Sequence, residues 1–169
     1  RLRLHLIDRL ARISRRLHEA GVFHRDYYLC HFLIEREPTA GQHLPEPVVI
    51  DLHRVLLDPL RPRRWAIKDL AGLCFSAQGI GLSQRDHLRF MRQYSGSLRR
   101  ALNRDARFWR AVARRARRLA RRDERRWLAR WRRSELQQSL PVSTAAIRER
   151  WRRLDRKSTR LNSSHRLRS

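Results

Sequence analysis

The chain has little of what secures small proteins by covalent or metal chemistry. Only two of its 169 residues are cysteine, Cys30 and Cys74. They stand in apolar segments without a paired CxxC spacing, which excludes a disulfide framework and a cysteine zinc site. Both are expected to be buried thiols in a reducing compartment. No apolar run approaches the roughly 20 residues that span a bilayer, and no charged-then-apolar leader opens the chain. A cytoplasmic protein, soluble or peripheral, is the expectation. Lysine is almost missing too: of 41 basic residues only Lys68 and Lys157 are lysine, and the rest are arginine. With only 16 acidic residues the formal charge is +25, a balance that favours polyanionic partners. The arginine bias is that of a GC-rich coding sequence. The charge therefore argues for coding bias and attraction to an anionic membrane surface ahead of dedicated nucleic-acid binding.

What is present suffices for one domain, since 41% of the residues are hydrophobic and the length supports a single core. Leu2, Leu6, Leu10, Ile13 and Leu17 recur at intervals of three or four and predict an amphipathic helix over residues 2–19, stopped at Ala20-Gly21. The chain opens at Arg1 already in this register, so the natural protein is expected to extend before it. Tyr27 to Ile34 and Val48 to Leu52 are short runs rich in aromatic and branched residues. Pro38, Gly41, Pro45 and Pro47 punctuate the stretch between them, which predicts a β-hairpin with a long loop. Helices are predicted over Trp65–Ala77 and over Gln84–Leu102, the latter capped by Ser83. From Leu98 to Arg133 an apolar stripe that includes Trp109, Trp127 and Trp131 runs along a helix crowded with arginine. The tryptophans are read as core residues in preference to membrane anchors. A last short helix is expected from about Thr144 to Asp155. The tail 156–169 has no apolar face, resembles translated sequencing-adapter read-through, and is expected to be non-native or disordered.

The chemistry-bearing constellation is His24-Arg25-Asp26, placed just after a long helix and a glycine turn, followed by Asp51 at the end of Val48-Val49-Ile50. Phosphoryl transfer is catalysed mainly by alignment and charge neutralisation. One carboxylate must orient a hydroxyl and accept its proton, and a second must hold magnesium against nucleotide phosphates. Asp26 fits the first role and Asp51 the second. Asp51-Leu52-His53 stands where Asp-Phe-Gly is usual, and His31 stands five residues after Asp26, where the kinase pattern has asparagine. Imidazole is a poor magnesium ligand. His31 is therefore read as hydrogen-bonding to Asp26 or Asp51, in preference to holding a second metal weakly or shifting the preference toward manganese. His18, His43 and His87 are read as ordinary surface or loop histidines, and His5 has no ligand-like neighbour.

The run His24-Arg25-Asp26-Tyr27-Tyr28-Leu29-Cys30-His31-Phe32-Leu33, with Ile50-Asp51-Leu52-His53-Arg54, resembles the lipopolysaccharide core heptose(I) kinase family (WaaP/RfaP). Further matches are Arg64-Trp65, Lys68-Asp69-Leu70-Ala71-Gly72-Leu73 with Phe75-Ser76, and Gly81-Leu82-Ser83-Gln84-Arg85-Asp86 leading to Arg89-Phe90-Met91-Arg92. The resemblance covers about Leu10 to Tyr94. It implies a mainly α chain with a small β-hairpin, the carboxyl-terminal lobe of a protein-kinase-like α+β fold whose amino-terminal lobe is missing. Residues 1–133 would form that lobe with its basic helix, and 134–155 a helical extension. It implies phosphorylation of an inner-core heptose, dependent on ATP and Mg2+ with Mn2+ as an alternative, at the cytoplasmic face of the Gram-negative inner membrane. Asp26 would be the catalytic base and Asp51 the metal ligand, with His24, Arg25 and His31 in support and Asp69 bracing the loop through its backbone.

The expected partners are the lipopolysaccharide inner core, an anionic membrane surface and an acidic protein. No glycine-rich phosphate loop and no lysine–glutamate pair for the nucleotide is found, so the chain by itself is expected to be inactive. The competing readings are another sugar or small-molecule phosphotransferase, a basic nucleic-acid-binding module, and a pseudokinase.

Overall fold

The three- and four-residue spacing of leucine and isoleucine at the start of the chain produces one long helix, α1, over Leu2–Glu19. The computed structural model describes residues 1–34 and 44–136, the last three by backbone alone. Expectations for the loop around Pro38 and Gly41, for His43, for a helix over 144–155 and for the tail 156–169 lie outside these residues. The described chain falls in two compact units divided between Arg117 and Arg118.

Helix α1 ends where Gly21 takes φ +71°, a left-handed turn open to glycine at little cost. Two short strands follow from the turn chemistry. β1 (Val22–Phe23) pairs antiparallel with a later strand, Leu56–Leu57, and β2 (Phe32–Ile34) pairs with β3 (Pro47–Val49), Phe32 facing Val49 and Ile34 facing Pro47. We number Leu56–Leu57 β4. The expected hairpin is present but shorter than its apolar run, because Leu29–His31 forms a single 3-10 turn before the ladder begins. The β1–β4 ribbon had no signal in a sequence window, since each strand is only two residues long and the paired residues are 33 and 35 positions apart.

Pro62 at the first turn opens α2 (Pro62–Ser76), where its missing N–H is no loss. Ser83 caps α3 (Gln84–Ser95) in a reciprocal capping box with Asp86. The single helix expected over Gln84–Leu102 is two, because Gly96 at φ +84° ends α3 and the Ser97 hydroxyl caps α4 (Leu98–Leu102). The basic helix likewise begins only at Ala106, as α5 (Ala106–Leu136), after a turn over Asn103–Asp105.

In the unit Arg1–Arg117 the core is built from Phe23, Ala66, Leu70, Ala71, Phe108, Val112 and Ala116, with Trp65, Phe90, Tyr94 and Trp109 packed against it. A second cluster joins Tyr27, Phe32 and Leu73, flanked by Leu10, Ile13 and Leu17 of α1. Burying each such large side chain contributes about 1.5–3 kcal/mol. Trp109 is a core residue, as expected, and its indole N–H donates to Ser95 Oγ at 3.1 Å. Two expectations fail. Cys30 is exposed, because the 3-10 turn rotates it outward. His18 is not a surface histidine: its side chain is buried, stacked on Phe23 at 5.1 Å between ring centres.

Candidate active site

The loop that carries His24, Arg25 and Asp26 leaves β1 and is held from three directions. From α2, Asp69 accepts the backbone N–H of His24 at 2.8 Å and that of Arg25 at 2.9 Å. Asp69 is itself buried, so these are charge-assisted bonds in a dry setting. They hold Arg25 at φ +72°, a left-handed conformation that a non-glycine residue adopts only when its surroundings impose it. From the hairpin side, the buried His24 imidazole donates from Nε2 to the carbonyl of Ile50 at 2.9 Å, tying the loop to the residue before Asp51. From α1, His18 lies with Nε2 at 3.5 Å from Asp69 Oδ2 and bonds Tyr94 Oη through Nδ1 at 2.8 Å. Burial raises the Tyr94 and Tyr27 hydroxyls above the usual phenol range, so both remain neutral.

Asp51 also sits in the left-handed region, at φ +64°, directly after the strand pair ends. Its carboxylate is half-exposed. His31 spans the two aspartates: Nδ1 lies 2.6 Å from the Asp26 carbonyl oxygen and Nε2 lies 3.4 Å from Asp51 Oδ2. His53 Nδ1 bonds the other oxygen, Asp51 Oδ1. The structure thus gathers every sequence-predicted residue, His24, Arg25, Asp26, His31, Asp51 and Asp69, into one connected cluster.

Among the described residues no group of three or more His, Cys, Asp or Glu side chains is arranged to hold a metal. A single partly exposed carboxylate is a poor cage, but it matches magnesium held chiefly by substrate phosphates and water, with one or two protein oxygens. Asp51 is the residue that would supply such an oxygen, and His31 and His53 would orient it.

Reasoning from sequence passed over two cations that touch Asp26. Arg54 Nη1 lies 2.7 Å from Asp26 Oδ2, and Lys68 Nζ lies 3.9 Å from Asp26 Oδ1 while donating to the Arg25 carbonyl. Burial lowers the Lys68 ammonium below its ordinary value, the Asp26 and Asp69 charges oppose that shift, and Arg25 and Arg54 add to it. One signal was available: in a chain that uses arginine almost everywhere, one of its two lysines stands beside Asp69.

A profile described as the Lipopolysaccharide kinase (Kdo/WaaP) family matches residues 1–94. A lipopolysaccharide core heptose(I) kinase WaaP of Escherichia coli strain K12 is 48% identical over 96 residues, which is 57% of this chain and 36% of that protein. The protein of the same name from Pseudomonas aeruginosa is 45% identical over 105 residues, 62% of this chain and 39% of that one. The chain therefore spans little more than a third of the length of these relatives. A solved structure described as WaaP in complex with acyl carrier protein superposes with a TM-score of 0.60 at 43% identity, covering 70% of this chain and 49% of that one.

Proposed function

This chain belongs to the lipopolysaccharide kinase (Kdo/WaaP) family, and from that footing we propose that it carries the catalytic loop of an ATP-dependent sugar kinase acting on a heptose of the lipopolysaccharide inner core. The observation that carries the reading is the placement of Asp26 and Asp51 on one rigid frame, with His31 between them and the Asp69 carboxylate holding the loop backbone. Asp26 accepts the proton of the acceptor hydroxyl as its oxygen bonds the γ-phosphorus of ATP and the bond from that phosphorus to the departing ADP breaks; such a base contributes typically about 10²–10⁴-fold. Asp51 would hold Mg2+, which when bound neutralises charge on the transferred phosphoryl group. His24 and Arg25 set the path of the loop, and His31 ties the Asp26 backbone to the Asp51 carboxylate.

Residues 1–133 are assigned to the carboxyl-terminal lobe of a kinase-like fold, with the basic helix as part of it. Leu33, Ile34 and Val48 on the hairpin and Leu52 beside Asp51 are exposed, an apolar surface that a nucleotide-covering lobe would bury. Among the described residues no helix is long and apolar enough to cross a membrane. The exposed arginines of α5, among them Arg107, Arg110, Arg114 and Arg117, favour a peripheral position on an anionic inner-membrane face, where attraction acts within a Debye length of roughly 8 Å. They equally suit an acidic protein partner, and the solved relative described with acyl carrier protein supports that extension.

The test is transfer of labelled phosphate from ATP to lipopolysaccharide that lacks core heptose phosphate, with the label located by mass spectrometry. It is run with the 169-residue chain and with the longest natural reading frame containing residues 1–133. Label on a core heptose supports the reading; label on another sugar, or none from a folded protein that binds nucleotide, removes it.

A further inference from the structure

Beside Asp26 lies a cavity of about 220 Å³ whose walls are almost wholly cationic: Arg25, Arg54, Arg64, Lys68 and Arg115, with Trp65 as the one uncharged lining residue. The indole of Trp65 gathers three of these charges, with the Arg25 and Arg64 guanidinium carbons each 5.6 Å from the ring centre and Lys68 Nζ at 5.9 Å. Stacking on an aromatic face lets cations approach one another more closely than they otherwise would. Arg25 Nε is buried and meets no hydrogen-bond acceptor among the described residues. Asp26 pairs with two of these cations, Arg54 and Lys68, and the Asp69 charge also acts on Lys68. So many like charges converging on one hollow, with a buried guanidinium N–H left over, is an arrangement that an entering anion would stabilise.

We propose that this cavity is a binding site for an oxyanion, a phosphate or carboxylate group, carried by the acceptor substrate. Guanidinium groups in a fixed array match the paired oxygens of such groups, and the hollow has room for one together with part of the sugar that bears it. The transferring phosphates of the nucleotide share this chemistry, but the cavity adjoins Asp26 through Arg54 and Lys68. Asp51 bonds His31 and His53, neither of which lines it. Assigning the anion to the acceptor rests on the reading of Asp26 as the base.

The probe is inorganic phosphate, titrated into the 169-residue chain and followed by the Trp65 indole and Arg25 Nε–Hε resonances, with chloride at equal ionic strength as reference. Saturable shifts with phosphate alone are expected. The double variant Arg54→Gln, Arg64→Gln should bind phosphate about tenfold or more weakly, given the strength of charge-assisted hydrogen bonds. Arg107→Gln on α5 should leave binding unchanged. Equal shifts with chloride, or undiminished binding by the double variant, would overturn the site. Displacement of phosphate by deacylated core oligosaccharide supports the acceptor assignment. Displacement only by a non-hydrolysable ATP analogue overturns that assignment in favour of the nucleotide, and displacement by neither marks an adventitious ion only. A kinase reading that fails, with transfer indifferent to Asp26→Asn, leaves the phosphate titration unaffected, so the two failures are separable.

Discussion

Replacing Asp69 with asparagine tests the frame on which the site is built. The Asp69 carboxylate accepts two backbone N–H groups, from His24 at 2.8 Å and Arg25 at 2.9 Å. Asparagine is the same size but offers only one oxygen. Its amide NH2 then confronts the other N–H, and one charge-assisted bond is lost while a buried donor is left unpaired. Hydrogen bonds to charged groups contribute about 1.5–3 kcal/mol and an orphaned buried donor costs about 1–3 kcal/mol, so the expected loss is about 2.5–6 kcal/mol. For a chain of this size that lowers the melting temperature by roughly 10 °C. Circular dichroism at increasing temperature measures the loss, and amide hydrogen exchange localises it, with the His24 and Arg25 amides losing protection before the α2 core does. In a catalytically competent protein the loosened loop should also cost about 100-fold in transfer rate, because a misplacement of about 1 Å has that effect. A variant that melts within about 2 °C of the parent, with both amides still protected, would refute the bracing role.

Other outcomes follow from the same geometry. Gly21→Ala should cost about 1–3 kcal/mol in chemical denaturation, since Gly21 is at φ +71° and an added Cβ would strike the Asp58 side chain. Gly72→Ala should destabilise despite alanine's better helix propensity, by about 1–2 kcal/mol, because its Cβ would lie 3.0 Å from the Tyr27 carbonyl, next to the loop of His24, Arg25 and Asp26. Burial raises the Asp8 carboxyl, but the hydrogen bonds from Arg89, at 2.7 and 2.6 Å, together with the Arg89 and Arg12 charges and a hydrogen bond from Gln93, hold Asp8 below the usual range. That contribution is fully present above the unfolded carboxyl value of about 4 and is lost as pH falls through the depressed folded value. Acid titration of stability should therefore be shallower below pH of about 4 in Arg89→Gln than in the parent, and an unchanged slope would deny the linkage.

The parts of this fold legible in sequence are those governed by local rules. The three- and four-residue spacing gave the bounds of α1, and the Ser83–Asp86 box marked the start of α3. Asp26 and Asp51 stood out because each follows the end of an element with its own local signal, α1 for the first and β3 for the second. What local rules could not show depends on tertiary partners. Arg54 and Lys68 reach Asp26 across 28 and 42 residues of chain, and His18 joins α1 to Asp69 only once α1 has docked. Gly96 reads equally well as a tolerated helix interior or as a stop, and the adjacent Ser97 cap decides for the stop. Cys30 stands in an apolar run, yet the 3-10 turn places it outside.

The central claim is that Asp26 performs the proton transfer of a phosphotransferase while Asp69 and His31 only position it. The most direct measurement compares phosphate transfer to heptose-phosphate-free lipopolysaccharide by the parent and by Asp26→Asn, in the longest natural reading frame containing residues 1–133, alongside nucleotide affinity. The account predicts a fall in transfer of about 10²-fold or more with nucleotide affinity preserved. Its pair with Arg54 is a surface ion pair contributing about 0–1 kcal/mol, so stability should change little. Transfer at the parental rate by the Asp26→Asn protein would contradict it.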